Sequence, residues 1–110
     1  MKLPNPGRAV VDVAKLRDYI LNPEHPRGRH KARVFAAKLG LSARDAGAIR
    51  AMLLRAARGC EALPGQADRY GRRYALESTM DGPSGCARVR SLWIVRRGED
   101  FPRLTSCYVI

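Results

Sequence analysis

The hydrophobic residues of this 110-residue chain change their period once. From Asp12 to Arg58 apolar side chains return every three or four residues, and after Leu63-Pro64-Gly65-Gln66 they alternate with polar ones. A period near 3.6 places one apolar stripe along a helix, and a period of two places one apolar face along a strand. Helices followed by strands, with no alternation between them, predict an α+β fold: three N-terminal helices packed on a roughly four-stranded antiparallel meander. The length suits one domain, residues 1–110, with a helical half at 12–58 and a strand half at 68–110.

Local signals place the elements. Pro4-Asn5-Pro6-Gly7 is a turn-rich start in which Leu3 pins the chain end to the core. Asp12 is a good N-cap, Val13, Leu16 and Ile20 form the first stripe with Tyr19 beside them, and Asn22-Pro23 closes that helix near residue 21. The second helix runs from Arg27 or Arg29 to Leu39, with Gly40 as its stop. Ser42, with Asp45 three residues on, caps a third helix carrying Ala46, Ile49, Leu53 and Ala56 or Ala57. In the second half, Asp68–Tyr70 reads as a short strand or strand edge. Arg72–Met80 puts Tyr74, Leu76, Ser78 and Met80 on one face, and residues 81–85 make a hairpin turn. Cys86–Arg97 carries Val89, Ser91, Trp93 and Val95 on one side and Arg88, Arg90, Leu92, Ile94 and Arg96 on the other. Phe101–Ile110 sets Leu104, Ser106, Tyr108 and Ile110 against Arg103, Thr105, Cys107 and Val109.

Charge narrows the function classes. The formal net charge is +11, from 21 Lys and Arg against 10 acids, and residues 1–58 hold 13 of the cations against 4 acids. A polyanionic partner follows, and RNA is the partner expected, facing the first half of the chain. Cys60, Cys86 and Cys107 are odd in number and far apart, which supports neither a disulfide framework nor a zinc site. No signal-peptide core opens the sequence, and no apolar run has the length of a bilayer span. The expectation is therefore a cytoplasmic protein without membrane contact, unless another system delivers it. Paired carboxylates, a glycine-rich phosphate loop and a Ser/His/Asp arrangement are all missing, so no metal and no cofactor is expected.

The chemistry concentrates in residues 25–35, HPRGRHKARVF, which hold four cations and two histidines beside the stripe of Ala32, Phe35 and Leu39. Lys31 borders that stripe and reads as a cleft residue. Metal-independent RNA cleavage needs a base, an acid and cations around the phosphate. Lys31, His30, His25 and Arg27, Arg29 and Arg33 supply the types, although His25 better suits a turn residue bonded to the backbone and His30 an exposed helix residue. The last strand offers the hydroxyls of Thr105, Ser106 and Tyr108 with Arg103, and Arg88 and Arg90 lie on the neighbouring strand. Trp93 can stack a base or fill the core. Residues 29–39, Gly40 and 43–58 also fit a helix-turn-helix, a reading that leaves the strands unexplained.

The run KLRDYILNPEHPRGRHKARVFAAKLG, the strand ending SLWIV and the close PRLTSCYVI resemble a bacterial family of small uncharacterised domains, with the pattern HPxGxxKAxxF and PRLTxxY. That family resembles C-terminal toxin modules of polymorphic and contact-dependent systems and, more distantly, the barnase/EndoU/colicin/RelE ribonuclease superfamily. The resemblance implies a metal-independent ribonuclease, possession of an acidic antitoxin or immunity partner, and site positions at His25, Lys31, Trp93, Arg103, Thr105 and Tyr108. Ser106-Cys107 departs from the small apolar pair common in toxin modules. The alternative is a non-catalytic basic module that docks nucleic acid or an acidic protein.

Overall fold

The computed structural model describes all 110 residues. A 3-10 turn at Pro6–Arg8 precedes α1 (Val13–Lys15), which continues as a π-helical turn over Leu16–Ile20. Then come α2 (Arg29–Leu39), a 3-10 turn at Ala43–Asp45, and α3 (Ala46–Gly59). The strands are β1 (Ala62–Asp68), β2 (Gly71–Gly82), β3 (Gly85–Arg96) and β4 (Pro102–Val109), in one antiparallel sheet of order β1-β2-β3-β4. The architecture is the expected α+β one, helices first and meander second.

The caps sit where the residue types place them. Asp12 Oδ1 accepts from the Ala14 N–H at 2.9 Å and the Lys15 N–H at 3.3 Å. The Asp45 carboxylate accepts from the Ser42 N–H at 2.9 Å. Gly40 ends α2 at φ 71°, a left-handed conformation that glycine adopts without a Cβ clash. Between the layers, Leu16, Ile20, Phe35, Leu39, Ile49 and Leu53 pack against Leu76, Val89, Trp93, Leu104 and Cys107, with Leu3 and Val11 closing the edge. Each such large apolar side chain stabilises the fold by about 1.5–3 kcal/mol when taken from water.

Two strands differ from the pattern in the sequence. The first strand is Ala62–Asp68, and Arg69-Tyr70 is the turn after it. Pro64 and Gly65 read as breakers, but an edge strand needs no outward N–H from proline, and the register slips between Pro64 and Ala67 to absorb the irregularity. On β4 the face assignment changes part-way. Leu92 pairs with Ser106 while Trp93 pairs with Leu104, so Thr105 is an extra, bulged residue. Leu104 and Cys107 therefore share the buried face, and Tyr108, paired with Arg90, belongs to the face away from the helices. An alternating pattern cannot show such a slip.

The bulge lies where a neighbouring segment ends. Val10 forms a parallel bridge to Arg103, its N–H donating to the Pro102 carbonyl at 2.9 Å and its carbonyl accepting from Leu104 at 3.0 Å. That patch covers the outer edge of β4 as far as Leu104. Beyond it the edge is open, and a cleft forms there.

Candidate functional site

The cleft has a volume of about 390 Å3. Lys15, Tyr19 and Ile20 form one wall, Arg27 and Gly28 the lip, Lys31 the floor of α2, and Thr105 and Ser106 the β4 side. Its polar lining is three cations and three hydroxyls, without one carboxylate. The π-helical turn brings Tyr19 to this wall, and close packing keeps the lip against it. A Cβ on Gly28 would stand 2.4 Å from the Tyr19 carbonyl oxygen, so only glycine fits there.

His25 organises the lip. Its Nδ1 accepts from the Arg27 and Gly28 N–H groups at 3.2 and 3.3 Å, satisfying donors at the start of α2. Its ring lies 4.2 Å from that of Tyr19, tilted by 48°. An accepting Nδ1 fixes neutral His25 as the Nε2–H tautomer. In that state Nε2 can donate to a phosphate oxygen but cannot take a proton. Replacing His25 with alanine removes the cap and is expected to cost about 1 kcal/mol. Thermal unfolding followed by circular dichroism should then show a midpoint lowered by about 5 °C. His25→Asn, whose side-chain oxygen also accepts, should restore most of the loss.

Lys31 is exposed, with its Nζ 4.9 Å from the centroid of the Tyr108 ring. Arg90 donates to the Tyr108 hydroxyl at 3.3 Å and to Glu77 at 2.5 and 3.2 Å, so a row of charges and dipoles crosses β4, β3 and β2. The hydrogen bond from Arg90 lowers the Glu77 carboxyl below its ordinary value, and the same bond, with that to Tyr108, raises Arg90. A lowered folded-state value means that the pair's contribution is complete above the ordinary carboxylate range, about 4.3. It is lost as pH falls through the lower folded value. The drop in unfolding midpoint from pH 6 to pH 3 should therefore be smaller in Glu77→Gln than in the unmodified chain.

The remaining candidates are dispersed. His30, Arg29 and Arg33 are exposed along α2, beside the cleft and outside its lining. Arg88 and Arg90 project from the sheet face away from the helices. Arg103 is held by Glu99 through two bonds of 2.9 Å and stacks 5.0 Å from the Phe101 ring. Trp93 is 1% exposed, its Nε1–H donating to Ser91 Oγ at 2.9 Å, and presents no face to a ligand. Thr105 Oγ1 donates to the Leu92 carbonyl at 3.1 Å, satisfying the main chain opened by the bulge. Burial pushes the Cys107 thiol up to about 12, despite the pull of Lys31, so it remains a protonated core group.

Lys15 and Tyr19 are lining residues that residue chemistry alone does not single out, whereas Ser106 belongs to the hydroxyl set of the last strand. Lys15 and Tyr19 are four apart and exposed on one helix face, which is the signal the sequence held for them. No group of three or more His, Cys, Asp or Glu side chains is placed to hold a metal ion, and no helix is long and apolar enough to cross a membrane.

The arrangement is that of an α+β domain with a cationic cleft at a bulged sheet edge. The chain belongs to DUF6883, a domain family of unknown function, whose model matches residues 2–110. No curated protein matches it significantly. Among solved structures, the fold is similar to that of a chain in a contact-dependent growth inhibition toxin–immunity protein complex from Klebsiella pneumoniae 342. The TM-score is 0.67 and the identity 22%, over 90% of this chain and 97% of that one.

Proposed function

We propose that this domain is a toxin-like effector that binds RNA and cleaves it without a metal ion. The observation that carries the reading is the cleft lining: Lys15, Arg27 and Lys31 with the hydroxyls of Tyr19, Thr105 and Ser106, and no acid to repel a phosphate. In the reaction proposed, the ribose 2′-oxygen attacks the adjacent phosphorus and the bond to the 5′-oxygen breaks, leaving a 2′,3′-cyclic phosphate and a 5′-hydroxyl. Lys31 stabilises charge on the non-bridging oxygens. His25 donates a hydrogen bond from Nε2, and His30, without a hydrogen-bond partner of its own, takes the 2′-hydroxyl proton and gives it to the departing 5′-oxygen. Arg27 and the exposed Arg29 and Arg33 attract the backbone. The likeness to a chain of a toxin–immunity complex supports the toxin-like part of the proposal and a neutralising protein as partner; the net charge of +11 is the ground for proposing an acidic one, and the cytoplasm is the proposed place of action.

One set of contacts favours the alternative, a non-catalytic module that docks nucleic acid or an acidic protein. Thr105 Oγ1, the Tyr108 hydroxyl and His25 Nδ1 are already engaged inside the fold, so several groups suited to catalysis hold structure instead. Incubating purified protein with total tRNA and a mixed RNA ladder in EDTA separates the readings. Discrete products on a denaturing gel establish a ribonuclease. RNA shifted on a native gel and left intact at every salt concentration establishes docking alone.

A further inference from the structure

Strand β2 outlasts its neighbour β1. The pairing of β1 starts at Ala62 opposite Leu76 and runs back to Gly71, which leaves Glu77–Asp81 with a partner on one side only. The far side of the sheet shows which main-chain groups are left over. The Ile110 N–H donates to the Arg88 carbonyl at 3.0 Å, so the main chain of Arg88 faces β4. Thr79 stands opposite Arg88, and in an antiparallel ladder such a pair turns both main chains away from each other. Thr79 therefore directs its N–H and C=O outward, as do Glu77 and Asp81 two residues to either side. Register between β2 and β3 is continuous here, so no bulge twists this edge out of use.

A second cleft, of about 350 Å3, runs beside that edge. Met52, Arg55 and Ala56 of α3 form its far wall and Cys60 closes one end. Arg55 is exposed and makes no ion pair, whereas Glu77 is held by both Arg88 and Arg90.

We propose that the open edge of β2 takes an extended segment of an acidic protein partner as a fifth strand, in the place β1 would occupy if it began before Ala62. The added main chain pairs with Glu77, Thr79 and Asp81. Side chains on its helix-facing side enter between Met52, Ala56 and Cys60, and a carboxylate reaches Arg55. Charge selects the occupant: a nucleic acid has no ladder to offer, and a second copy would bring +11 against +11. This surface is separate from the cleft beside Lys31, and the proposal stands whatever that cleft does.

The test uses the full chain and a blocked heptapeptide of alternating valine and glutamate, followed by amide hydrogen exchange and backbone NMR shifts. The amides of Glu77, Thr79 and Asp81 should exchange fast in the free protein and slowly with peptide, while a valine–lysine peptide gives no protection. Thr79→Pro deletes the outward N–H, together with an exposed hydroxyl that accepts from Arg88 at 3.4 Å, and should abolish the effect while the protein still unfolds in one cooperative transition. Asp81→Pro serves as the second variant if the first does not fold. Arg55→Ala should weaken binding about threefold. Slow exchange at these amides before peptide is added would overturn the proposal. So would peptide shifts scattered over the basic surface and indifferent to proline, or sedimentation showing a dimer joined through this edge.

Discussion

Under the proposed reaction, Lys31→Ala is expected to lower RNA cleavage by roughly two to three orders of magnitude, the cost of removing one charge-stabilising group from such a site. The fold should scarcely register the change. Lys31 is exposed, its one described contact is the face of Tyr108, and surface changes of that kind stay within about 0.5 kcal/mol. Lys31→Arg keeps the charge but replaces a compact ammonium with a broader planar fork, and should recover RNA binding more fully than cleavage. Cleavage, native-gel binding and thermal unfolding measured on the same three proteins decide the point. If Lys31→Ala cleaves at the unmodified rate, Lys31 has no part in the chemistry. If it loses binding and cleavage in equal measure, its role is attraction alone.

Trp93→Ala should be the most damaging single substitution for stability, at about 3–5 kcal/mol. Total stability for a domain of this size is about 5–15 kcal/mol, so the variant approaches the unfolding threshold. Trp93 lies against Tyr74 of β2 and Leu104 of β4 in the register, at the centre of the face that meets the helices. Its indole N–H also satisfies Ser91, a buried polar residue. Trp93→Phe retains a ring but leaves Ser91 Oγ without that donor, and is expected to cost about 1–3 kcal/mol in denaturant unfolding. RNA affinity of the folded Phe variant should equal that of the unmodified protein. A several-fold loss of affinity with intact folding would show that the indole meets the ligand after all.

The helices are legible in the sequence because their buried residues recur at one spacing. Ala32, Phe35 and Leu39 of α2 and Ala46, Ile49, Leu53, Ala56 and Ala57 of α3 are the residues the structure buries. The start of β1 is hidden because Leu63-Pro64-Gly65 carries turn chemistry that only a free sheet edge tolerates. Clustering at the site is partly legible. Arg27 and Lys31 are near in sequence, and the helix period places Lys31 at the border of the apolar stripe. Thr105 joins them only through tertiary packing, and the partners that occupy Arg103, Thr105 and Tyr108 are equally invisible to a one-dimensional reading. Glu99 sits four residues before Arg103, yet a strand pattern gives no reason to expect that pair to meet, since the chain turns between them.

The extra residue in β4 makes that strand behave like a message whose reading phase changes in mid-sentence. Up to Leu104 even-numbered positions face the helices, and from Cys107 odd-numbered ones do. Removing Thr105 would restore a single phase with Cys107 still inside and Tyr108 still outside, whereas straightening the strand at its full length would exchange the two, driving the Tyr108 phenol into the interior and Cys107 out to solvent. The bulge at this point, more than the identity of any one residue, thus decides whether Tyr108 stands beside Lys31.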